Sequence, residues 1–480
     1  MGAQSLAVAC GALALCLTLC AGATNPGFMV RITQAGLDYA HQLGIAMLEK
    51  ELANVKLPDF SGDSRIQRVG KVHYELSRLD LHSFHLPYSR ISLVPNVGLQ
   101  VSITNAFAKV KGNWRWKLRF IRDHGSFDIT VEDVNIKINL KLGNDASGKP
   151  TIDTSSCSTN VSKVRVRFSG RFGWLYNLFH ERIGSKLREI LEKKVCEIVA
   201  KSVRSNLQPY IQTLPVTAKI GAIAGVDYSL VGPPTATARS LDVPMKGEFF
   251  SVANRSAVPF SPLALTLPPD HDRMVYFGVS SYFFNTASFA YHKSGALVFE
   301  VTGSMISKGA NFHLDTTTFS AFIPQLEEMY PDMQMKFRIF APSPPFLSIG
   351  AGGLLIKPVL DIQAYAILPN SSLAPLFLLS MTSNVSAVIS VKSGHIIGNL
   401  KMGRVKLSLE HSDVGSFQVE TLQSIIHFFA SSILVPRIND RLGQGFPLPM
   451  PKGIQLSDII VQFHQNLLLL GADIRYQPRV

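Results

Sequence analysis

Hydrophobic and polar residues alternate with a period of two in the first half of the chain. One clear stretch sets apolar Val134, Ile136, Ile138 and Leu140 against polar Asn135, Lys137 and Asn139. Successive side chains of a strand point to opposite faces of a sheet, so this pattern predicts antiparallel strands with one apolar face.

Apolar residues recur at helical spacing on both sides of these strands. A first amphipathic helix is predicted over roughly residues 34 to 54 from the set Leu37, Ala40, Gly44, Met47, Leu48, Leu52 and Val55. A second, long helix is predicted from about Trp174 to Leu207, with an apolar face made by Leu175, Leu178, Phe179, Ile183, Leu187, Ile190, Leu191, Val195, Ile198, Val199 and Val203. Cys196 lies near the middle of that face.

The second half of the chain repeats this order of elements. The pattern predicts a short helix near Ser280 to His292, strands to about residue 410, a longer helix near Gln418 to Leu442 and a final strand. We therefore predict an α+β fold with a duplicated module, in which a highly curved antiparallel sheet wraps a long helix.

A proline-rich stretch separates the two halves. Seven prolines occur without a sustained helical period, at positions 233, 234, 244, 259, 262, 268 and 269. We predict a basic N-terminal domain over residues 24–250 and a C-terminal domain over residues 270–480. The linker between them, residues 251–269, would form part of a central sheet region spanning residues 215–270.

Composition supports two large folded domains. The chain has 480 residues, of which 46% are hydrophobic and only 17% are charged, so it can bury a large core and disorder is not expected. Residues 1–23 carry no charged side chain, run apolar from Leu6 to Leu19 and end in Ala21-Gly22-Ala23. This pattern predicts a removed signal peptide, and the alternative is a membrane anchor shorter than a full span.

Cysteines and glycosylation motifs fit an exported protein. Three of the five cysteines lie in the predicted signal, which leaves Cys157 and Cys196 in the mature chain. These two residues form either one disulfide, as an oxidising compartment favours, or two buried free thiols. Sequons for N-glycosylation begin at Asn160, Asn254, Asn370 and Asn384.

The positive charge is concentrated in the first half. Of the net charge of +13, residues 24–250 carry +11, from 31 Lys and Arg against 20 Asp and Glu. Residues 251–480 carry +2, from 16 against 14. This asymmetry predicts an anionic partner that meets the first half.

Two glycine-rich motifs resemble nucleotide-binding loops only in part. Residues 143–149 match phosphate-loop spacing, but Pro150 stands where a Ser or Thr must hold magnesium, so we interpret them as a hairpin loop. Residues 350–353 lack the third glycine of a dinucleotide fingerprint and indicate a turn. The chain contains no HExxH or GxSxG motif and no metal-ligand spacing among its 13 histidines. A binding protein is therefore expected in preference to an enzyme, with no metal and no cofactor.

The strongest candidate for a binding site is the segment Lys109 to Arg122, KVKGNWRWKLRFIR. Gly112-Asn113 is predicted to turn a hairpin. Beyond that turn, alternation separates cationic Arg115, Lys117 and Arg119 from apolar Trp114, Trp116, Leu118 and Phe120. Such a hairpin suits an amphiphile with phosphates on its headgroup, and the alternative is an ordinary strand whose apolar face lies in the core.

Two further basic strings could lie beside this segment. Their members, with Lys109, Lys111 and Arg122, complete the candidate site: Arg65, Arg68 and Lys71, and Lys163, Arg165 and Arg167. Charge alone allows a nucleic acid or heparin as well as a lipid, although no specific nucleic acid is expected.

Motifs spread over both halves resemble the bactericidal/permeability-increasing and lipopolysaccharide-binding protein family. They are TNPG at residues 24–27, RIT at 31–33, GLDYA at 36–40, LQPY at 207–210, QTLP at 212–215, MKGE at 245–248, YFFNTA at 282–287, GFPLP at 445–449 and GAD at 471–473. The resemblance covers essentially the whole mature chain.

The resemblance implies a boomerang of two similar barrel domains joined by a central β-sheet, with a phospholipid in an apolar pocket of each. It also implies that Cys157 pairs with Cys196 and that the lipid A of bacterial endotoxin binds at the amino-terminal tip. The residues that fall on the family's tip positions are Arg65, Lys71, Lys109, Trp114, Arg115, Arg119 and Arg122.

From this resemblance we expect a secreted lipid-binding protein of innate immunity. One branch kills Gram-negative bacteria at their outer membrane, and another delivers endotoxin to a host receptor. Residues 271–276 and 464–466 look more like the killing branch, for which storage in leukocyte granules would follow, and residues 479–480 more like the delivery branch. A plasma protein that transfers neutral lipids or phospholipids is a further alternative.

Overall fold

The computed structural model describes residues 25–54, 56–66, 70–169, 180–306 and 312–477. The predicted signal peptide and Arg68 lie outside these residues. In the described part, the strands form four antiparallel sheets. The first half contributes the strands β1 (Phe28–Thr33), β2 (Phe60–Ile66), β3 (Gly70–His85), β4 (Tyr88–Val94), β5 (Gly98–Leu118), β6 (Ile121–Asn144) and β7 (Pro150–Phe168).

Within the described residues, the helices of the first half lie where the sequence predicts them, and residues 174–179 of the predicted second helix lie outside that part of the chain. α1 (Gln34–Ala53) follows β1 directly, and the Thr33 hydroxyl caps it by accepting from the Gly36 N–H at 3.5 Å. α2 (His180–Ser202) continues through a π-helical turn, Val203–Leu207, into α3 (Gln208–Ile211). The residues of α2 at positions 183, 187, 191, 195 and 199 are buried in the first-half core, which confirms the predicted apolar face.

The middle of the chain forms short strands. They are β8 (Thr217–Ile220), β9 (Ala224–Asp227), β10 (Thr235–Ala236), β11 (Ser240–Met245) and β12 (Glu248–Ser251). Residues 252–274, which include four of the seven prolines, contain no helix or strand. Proline lacks the N–H that a sheet ladder needs, which accounts for this irregular connection.

The second half follows the predicted order with two additions. Its elements are β13 (Val275–Ser280), α4 (Ser281–Lys293), β14 (Val298–Thr302), α5 (Thr316–Ser320), α6 (Gln325–Met329), β15 (Met335–Phe340), β16 (Leu347–Gly350), β17 (Gly353–Ile356), β18 (Val359–Ile367), β19 (Leu373–Lys392), β20 (His395–Ser412), α7 (Gln423–Phe429), α8 (Val435–Leu442), β21 (Phe446–Pro447), β22 (Ile454–His464) and β23 (Leu467–Tyr476). The short helices α5 and α6 were not predicted, and the expected final strand is a hairpin of two, β22 and β23.

A central sheet joins the halves. Its order is β10-β11-β1-β13-β23-β22, so the first strand of each half, β1 and β13, lie side by side. The first half builds its own sheet in the order β2-β3-β5-β6-β7, with β4 also on β5, and the second half builds an eight-stranded sheet around β18, β19 and β20. This architecture is the predicted α+β fold.

Bulges curve the long strands. Register shifts interrupt the β3–β5, β5–β6 and β19–β20 ladders, and Arg78, Asn105 and Asp133 adopt positive φ angles of 52°, 56° and 59° beside the shifts in the first-half sheet. A bulge adds a residue to one strand and increases its bend and twist, which lets strands of 16 to 24 residues wrap a helix.

A shared helical irregularity supports the duplicated module. The long helix of the second half runs as a 3₁₀ turn (Val419–Leu422), α7, a π turn (Ala430–Leu434) and α8. In each half a five-residue π turn ends two residues before a proline, Pro209 or Pro436. Proline cannot donate to the carbonyl four residues back, and the π turn accommodates that lost hydrogen bond at the same place in both halves.

The helical run Val419–Leu442 is long and apolar enough to cross a membrane by length and composition, with a mean hydropathy of 1.2. Its apolar face, however, packs against the second-half sheet through Leu422, Ile426, Phe429, Ala430 and Leu434. This packing is that of an amphipathic helix with one face in the core of the second half.

A forked ion pair fastens β1 within the central sheet. The Arg31 guanidinium donates from Nε and Nη2 to the two carboxylate oxygens of Asp242 on β11, both at 2.8 Å, and Nη1 donates to the Pro268 carbonyl at 2.6 Å. The side chains are only 11% and 18% exposed. Both charges are thus largely removed from water and depend on each other.

Replacing Arg31 with methionine should lower the free energy of unfolding by about 2–3 kcal/mol, because the Asp242 carboxylate would lose its cation and two hydrogen bonds. Chemical denaturation of the purified chain measures the change. As a control, Lys186→Met removes an exposed pair with Glu189 and should cost less than about 1 kcal/mol. Equal losses in the two variants would contradict the structural role of the forked pair.

Candidate functional site

The hairpin of β5 and β6 turns at Arg119-Phe120. Leu118 pairs with Ile121 across a two-residue turn, and Arg119 adopts a φ of 48°. The predicted turn at Gly112-Asn113 is therefore wrong, since both residues lie inside β5 opposite Phe127 and Ser126. Glycine is needed at position 112 for another reason: a Cβ there would lie 2.5 Å from the Phe127 ring.

The predicted alternation along β5 is present, but its apolar side chains face the core. Trp114 and Trp116 are 4% and 6% exposed and belong to the first-half core. The Trp114 indole N–H donates to the carbonyls of Ser126 and Ser169 at 3.0 and 3.2 Å. The two indoles therefore lie as expected for the alternative interpretation of this segment, an ordinary strand whose apolar face lies in the core.

The cations of the segment point outward on the opposite face. Cross-strand register places Lys117 between His73 of β3 and Arg122 of β6, and it places Arg115 between Glu75 and His124. On the neighbouring hairpin, Arg65 and Lys71 lie opposite each other next to residues 67–69. We define the basic tip as the six cations at this end of the first-half sheet: Arg65, Lys71, Arg115, Lys117, Arg119 and Arg122.

A shallow cleft opens on the outer face of the basic tip. It is lined by His73, Glu75, Arg115, Lys117 and Arg122, and by Trp116, whose side chain is largely buried. Three of these residues carry permanent positive charge and one carries a carboxylate. An anionic group of phosphate size that enters the cleft would meet Arg115, Lys117 and Arg122 together.

One carboxylate already holds part of the basic tip. Asp63 of β2 accepts from Lys71 Nζ at 3.0 Å and from His73 Nδ1 at 2.9 Å. The hydrogen bond to His73, followed by that to Lys71, keeps the pKa of the Asp63 carboxyl below its ordinary value. Asp63 therefore remains ionised and partly neutralises Lys71, whereas Lys117 faces His73 and Arg122.

The remaining predicted cations share this face but lie away from the tip. Arg167 and Lys111 flank Asp128, Lys109 and Arg165 flank Thr130, and Lys163 is opposite Glu132. Arg165 contacts Glu132 at 3.2 Å and Lys163 contacts Asp133 at 3.3 Å. Asp128 lies six positions after Arg122 on β6, a distance of about 20 Å along an extended strand. Of the three basic strings, two therefore meet at the tip.

Phe120 is the residue that sequence reasoning placed wrongly. The pattern assigns it to the apolar face with the two indoles, yet its side chain is 99% exposed in the turn, and neighbouring Ile121 is 54% exposed. The signal that could have found it is the length of the alternation, which runs unbroken through Gly112-Asn113 and is interrupted only where the apolar residues Phe120 and Ile121 follow each other. His73 was also missed, although Lys71, His73 and Glu75 alternate.

The other predicted sites are compatible with the structure. Cys157 of β7 and Cys196 of α2 form a disulfide with a Cα–Cα distance of 5.7 Å, as the family resemblance implies. The four sequon asparagines are exposed. Residues 145–149 form the loop of the β6–β7 hairpin and residues 350–353 turn between β16 and β17, as interpreted. No group of three or more potential metal ligands occurs among the described residues.

Comparison with known proteins gives a consistent result over the whole chain. Residues 36–210 match the N-terminal domain of the LBP / BPI / CETP family and residues 218–476 match its C-terminal domain. Lipopolysaccharide-binding protein of Homo sapiens is 44% identical over 478 residues, which cover 99% of both chains. Bactericidal permeability-increasing protein of Rattus norvegicus is 42% identical over 463 residues, which cover 96% of both chains.

A crystal structure of lipopolysaccharide binding protein has the same fold. It matches with a TM-score of 0.65 at 40% identity, over 95% of this chain and 100% of that one. Members of the matched family are lipid-binding proteins, which confirms the expectation that the chain is not an enzyme. From its sequence matches in both halves and its shared fold, the chain belongs to the LBP / BPI / CETP family.

Proposed function

We propose that this chain is a secreted lipid-binding protein of innate immunity that binds lipopolysaccharide through its basic tip. The observation that carries the proposal is the meeting of Arg115, Lys117 and Arg122 in one exposed cleft at the end of the first-half sheet. Relatives named for binding lipopolysaccharide and for bactericidal action, at 44% and 42% identity, support the ligand class.

Phosphates on the lipid A headgroup are the chemical partner that suits this cleft. Arginine presents two parallel N–H donors to a phosphate, and lysine adds a compact charge. Each cation near an anionic lipid surface contributes about 1 kcal/mol at moderate ionic strength. The resulting contact would be strong at low salt and weaker as salt rises.

An apolar stripe on α1 supports a second contact, with acyl chains. Leu37 and Leu52 of the predicted stripe are buried. Met47 of that stripe is 60% exposed, the neighbouring Leu43 is 39% exposed, and a Cβ at Gly44 would have no heavy atom within 4 Å. Space beside an exposed apolar helix face suits a hydrocarbon chain. A bound phospholipid in the first half would lie here.

Within the family, we favour a function in the killing branch. The concentration of +11 in residues 24–250 suits direct attack on the anionic outer membrane of Gram-negative bacteria, with neutralisation of endotoxin as a consequence. Delivery of endotoxin to a host receptor is the second candidate, because relatives named for lipopolysaccharide binding and for bactericidal action are about equally similar to this chain. Transfer of neutral lipids would not require this charge.

The tip hypothesis is tested by replacing Lys117, Arg119 and Arg122 together with serine. Lipopolysaccharide binding at about 0.15 M salt should weaken roughly a hundredfold, since three contributions of about 1 kcal/mol are lost. The salt dependence should flatten, because fewer ion contacts are left to screen. Titration of labelled lipopolysaccharide over a series of salt concentrations measures both quantities.

The matched control replaces Lys163, Arg165 and Arg167 with serine. This variant removes the same charge from the same face, about 20 Å and so more than two Debye lengths from the tip. It should bind within a few-fold of the wild type. Equal weakening in both variants would indicate a diffuse charge effect and contradict a site at the tip.

A further inference from the structure

Phe120 is an apolar side chain held almost entirely in water. It is 99% exposed, more than any other large hydrophobic residue in the described part of the chain. The next residue, Ile121, is 54% exposed. Exposure of a whole phenyl ring forgoes the free energy that burial of a Phe side chain provides, so a contact outside the described fold is the natural use of this ring.

The hairpin presents Phe120 at its outermost point. The turn follows β5 and precedes β6, strands of 21 and 24 residues that pair from Leu118 and Ile121 inward. Directly below the turn, Trp114, Trp116 and Phe127 anchor the two strands in the core. The core-anchored strands therefore hold the Phe120 ring away from the protein surface, where it can enter a lipid layer.

Three cations lie near Phe120 in the turn and the adjoining strands. Arg119 precedes Phe120 in the turn, and Arg122 and Lys117 form the first cross-strand pair behind Ile121 on the outer face. Apolar side chains framed by lysine and arginine bind at the boundary between headgroups and acyl chains, where each group meets its own partner.

We propose that Phe120, with Ile121, inserts into the acyl layer of an anionic phospholipid leaflet while Lys117, Arg119 and Arg122 contact its headgroups. The inference rests on the proposed function, in that the same tip is used, and it deepens it. The tip would be a membrane anchor that recognises an anionic leaflet with or without endotoxin in it.

Vesicles of phosphatidylcholine with about one third phosphatidylglycerol provide the test, without endotoxin. Phe120→Ser in the full mature chain should weaken vesicle binding about ten- to a hundredfold, the range that corresponds to burial of one Phe side chain. Phe120→Leu should keep most of the affinity. Because Phe120 is 99% exposed, its replacement leaves the core unchanged, and thermal unfolding of each variant verifies this.

Phe346 supplies the matched control. It is a second strongly exposed phenylalanine, at 69%, on the loop before β16 in the second half of the chain, where the neighbouring sequence, APSPPFLSIG, contains no cation. Phe346→Ser removes the same apolar group from the surface. Vesicle binding of this variant should equal that of the wild type, whereas an equal loss in both variants would overturn the proposal.

Tryptophan fluorescence reports insertion directly. In Phe120→Trp, the emission that exceeds the wild-type signal should shift to shorter wavelength on vesicles and should be quenched by phospholipids brominated on their acyl chains. In Phe346→Trp, the added emission should remain accessible to aqueous iodide. Absence of acyl-chain quenching at position 120 would overturn insertion.

The endotoxin titrations keep this inference separate from the proposed function. If the serine triple variant of Lys117, Arg119 and Arg122 loses lipopolysaccharide binding while Phe120→Ser binds vesicles like the wild type, insertion is wrong and the basic tip stands. If the triple variant also binds lipopolysaccharide like the wild type, both proposals are wrong.

Discussion

Replacing Trp114 with serine should lower the free energy of unfolding by about 3–5 kcal/mol, the range for truncating a buried large aromatic side chain. The indole is 4% exposed and packs edge-on against Phe168 at a centroid distance of 6.3 Å. Its N–H bonds join β5 to the carbonyls of Ser126 and Ser169. Loss of ring and donor together should loosen the base of the hairpin that carries Phe120.

Denaturant unfolding of Trp114→Ser and Trp114→Phe separates packing from hydrogen bonding. The phenylalanine variant keeps much of the ring contact and should lose about 1–3 kcal/mol, mainly because the Ser169 carbonyl loses the indole donor, whereas the Ser126 carbonyl still accepts from Ser169. Lipopolysaccharide affinity of Trp114→Phe should stay near that of the wild type, since the indole does not reach the surface. A stable Trp114→Ser chain with selectively weakened binding would show instead that the indole contacts the ligand.

Removing the disulfide should cost about 4 kcal/mol on the chain-entropy model, because the bridge closes a loop of 39 residues. Cys157 lies in β7 opposite Ile138, and Cys196 lies beside the buried Val195 of α2. The bridge thus holds the long helix against the sheet at mid-length. In the Cys157→Ser/Cys196→Ser variant, the amides of α2 should exchange with solvent faster than those of β5 and β6.

Intact-mass measurement after alkylation without reduction provides the check on the wild-type chain. Cys157 and Cys196 are its only cysteines beyond residue 23. Two alkylated thiols in folded, secreted protein would contradict the bridge. Unchanged stability of the double variant would instead show that packing of α2 alone holds the helix, through Ile183, Leu187 and Leu191 among others.

The long helices and strands of the first half were predictable because the spacing of the apolar residues on one face is enough to identify each of them. The apolar spacing of residues 174–207 and the alternation around Ile136 each specify a period, and a period selects helix or strand without knowledge of neighbours. The same logic located Ser281–Lys293 and Val419–Leu442. It did not find α5 and α6, since five-residue helices are too short for a period to show.

The hairpin turn shows where local reasoning stops. Gly112-Asn113 carries turn-forming residues, but in a sheet the phase of alternation across Trp114 and Trp116 must match the partner strand, and β6 supplies partners as far as Ile121. The turn therefore falls at Arg119-Phe120, where no glycine marks it. Pairing with β6 is a long-range contact that local residue preferences do not contain.

The sequence by itself determined the fold class, the repeat, the excess of positive charge in the first half and the family, because periods, composition and motifs are written in the order of residues. The tertiary structure alone decided which cations lie together. Arg65 and Lys71 come within reach of Lys117 through the β3–β5 register, whereas Lys163 and Arg165 form ion pairs farther along the strands. It also decided that Trp114 faces the core while Phe120 faces solvent. Trp114 lies within the part of β5 that pairs with β6, whereas Phe120 lies in the turn beyond the last pair, and the position of that last pair is set by the register between the two strands.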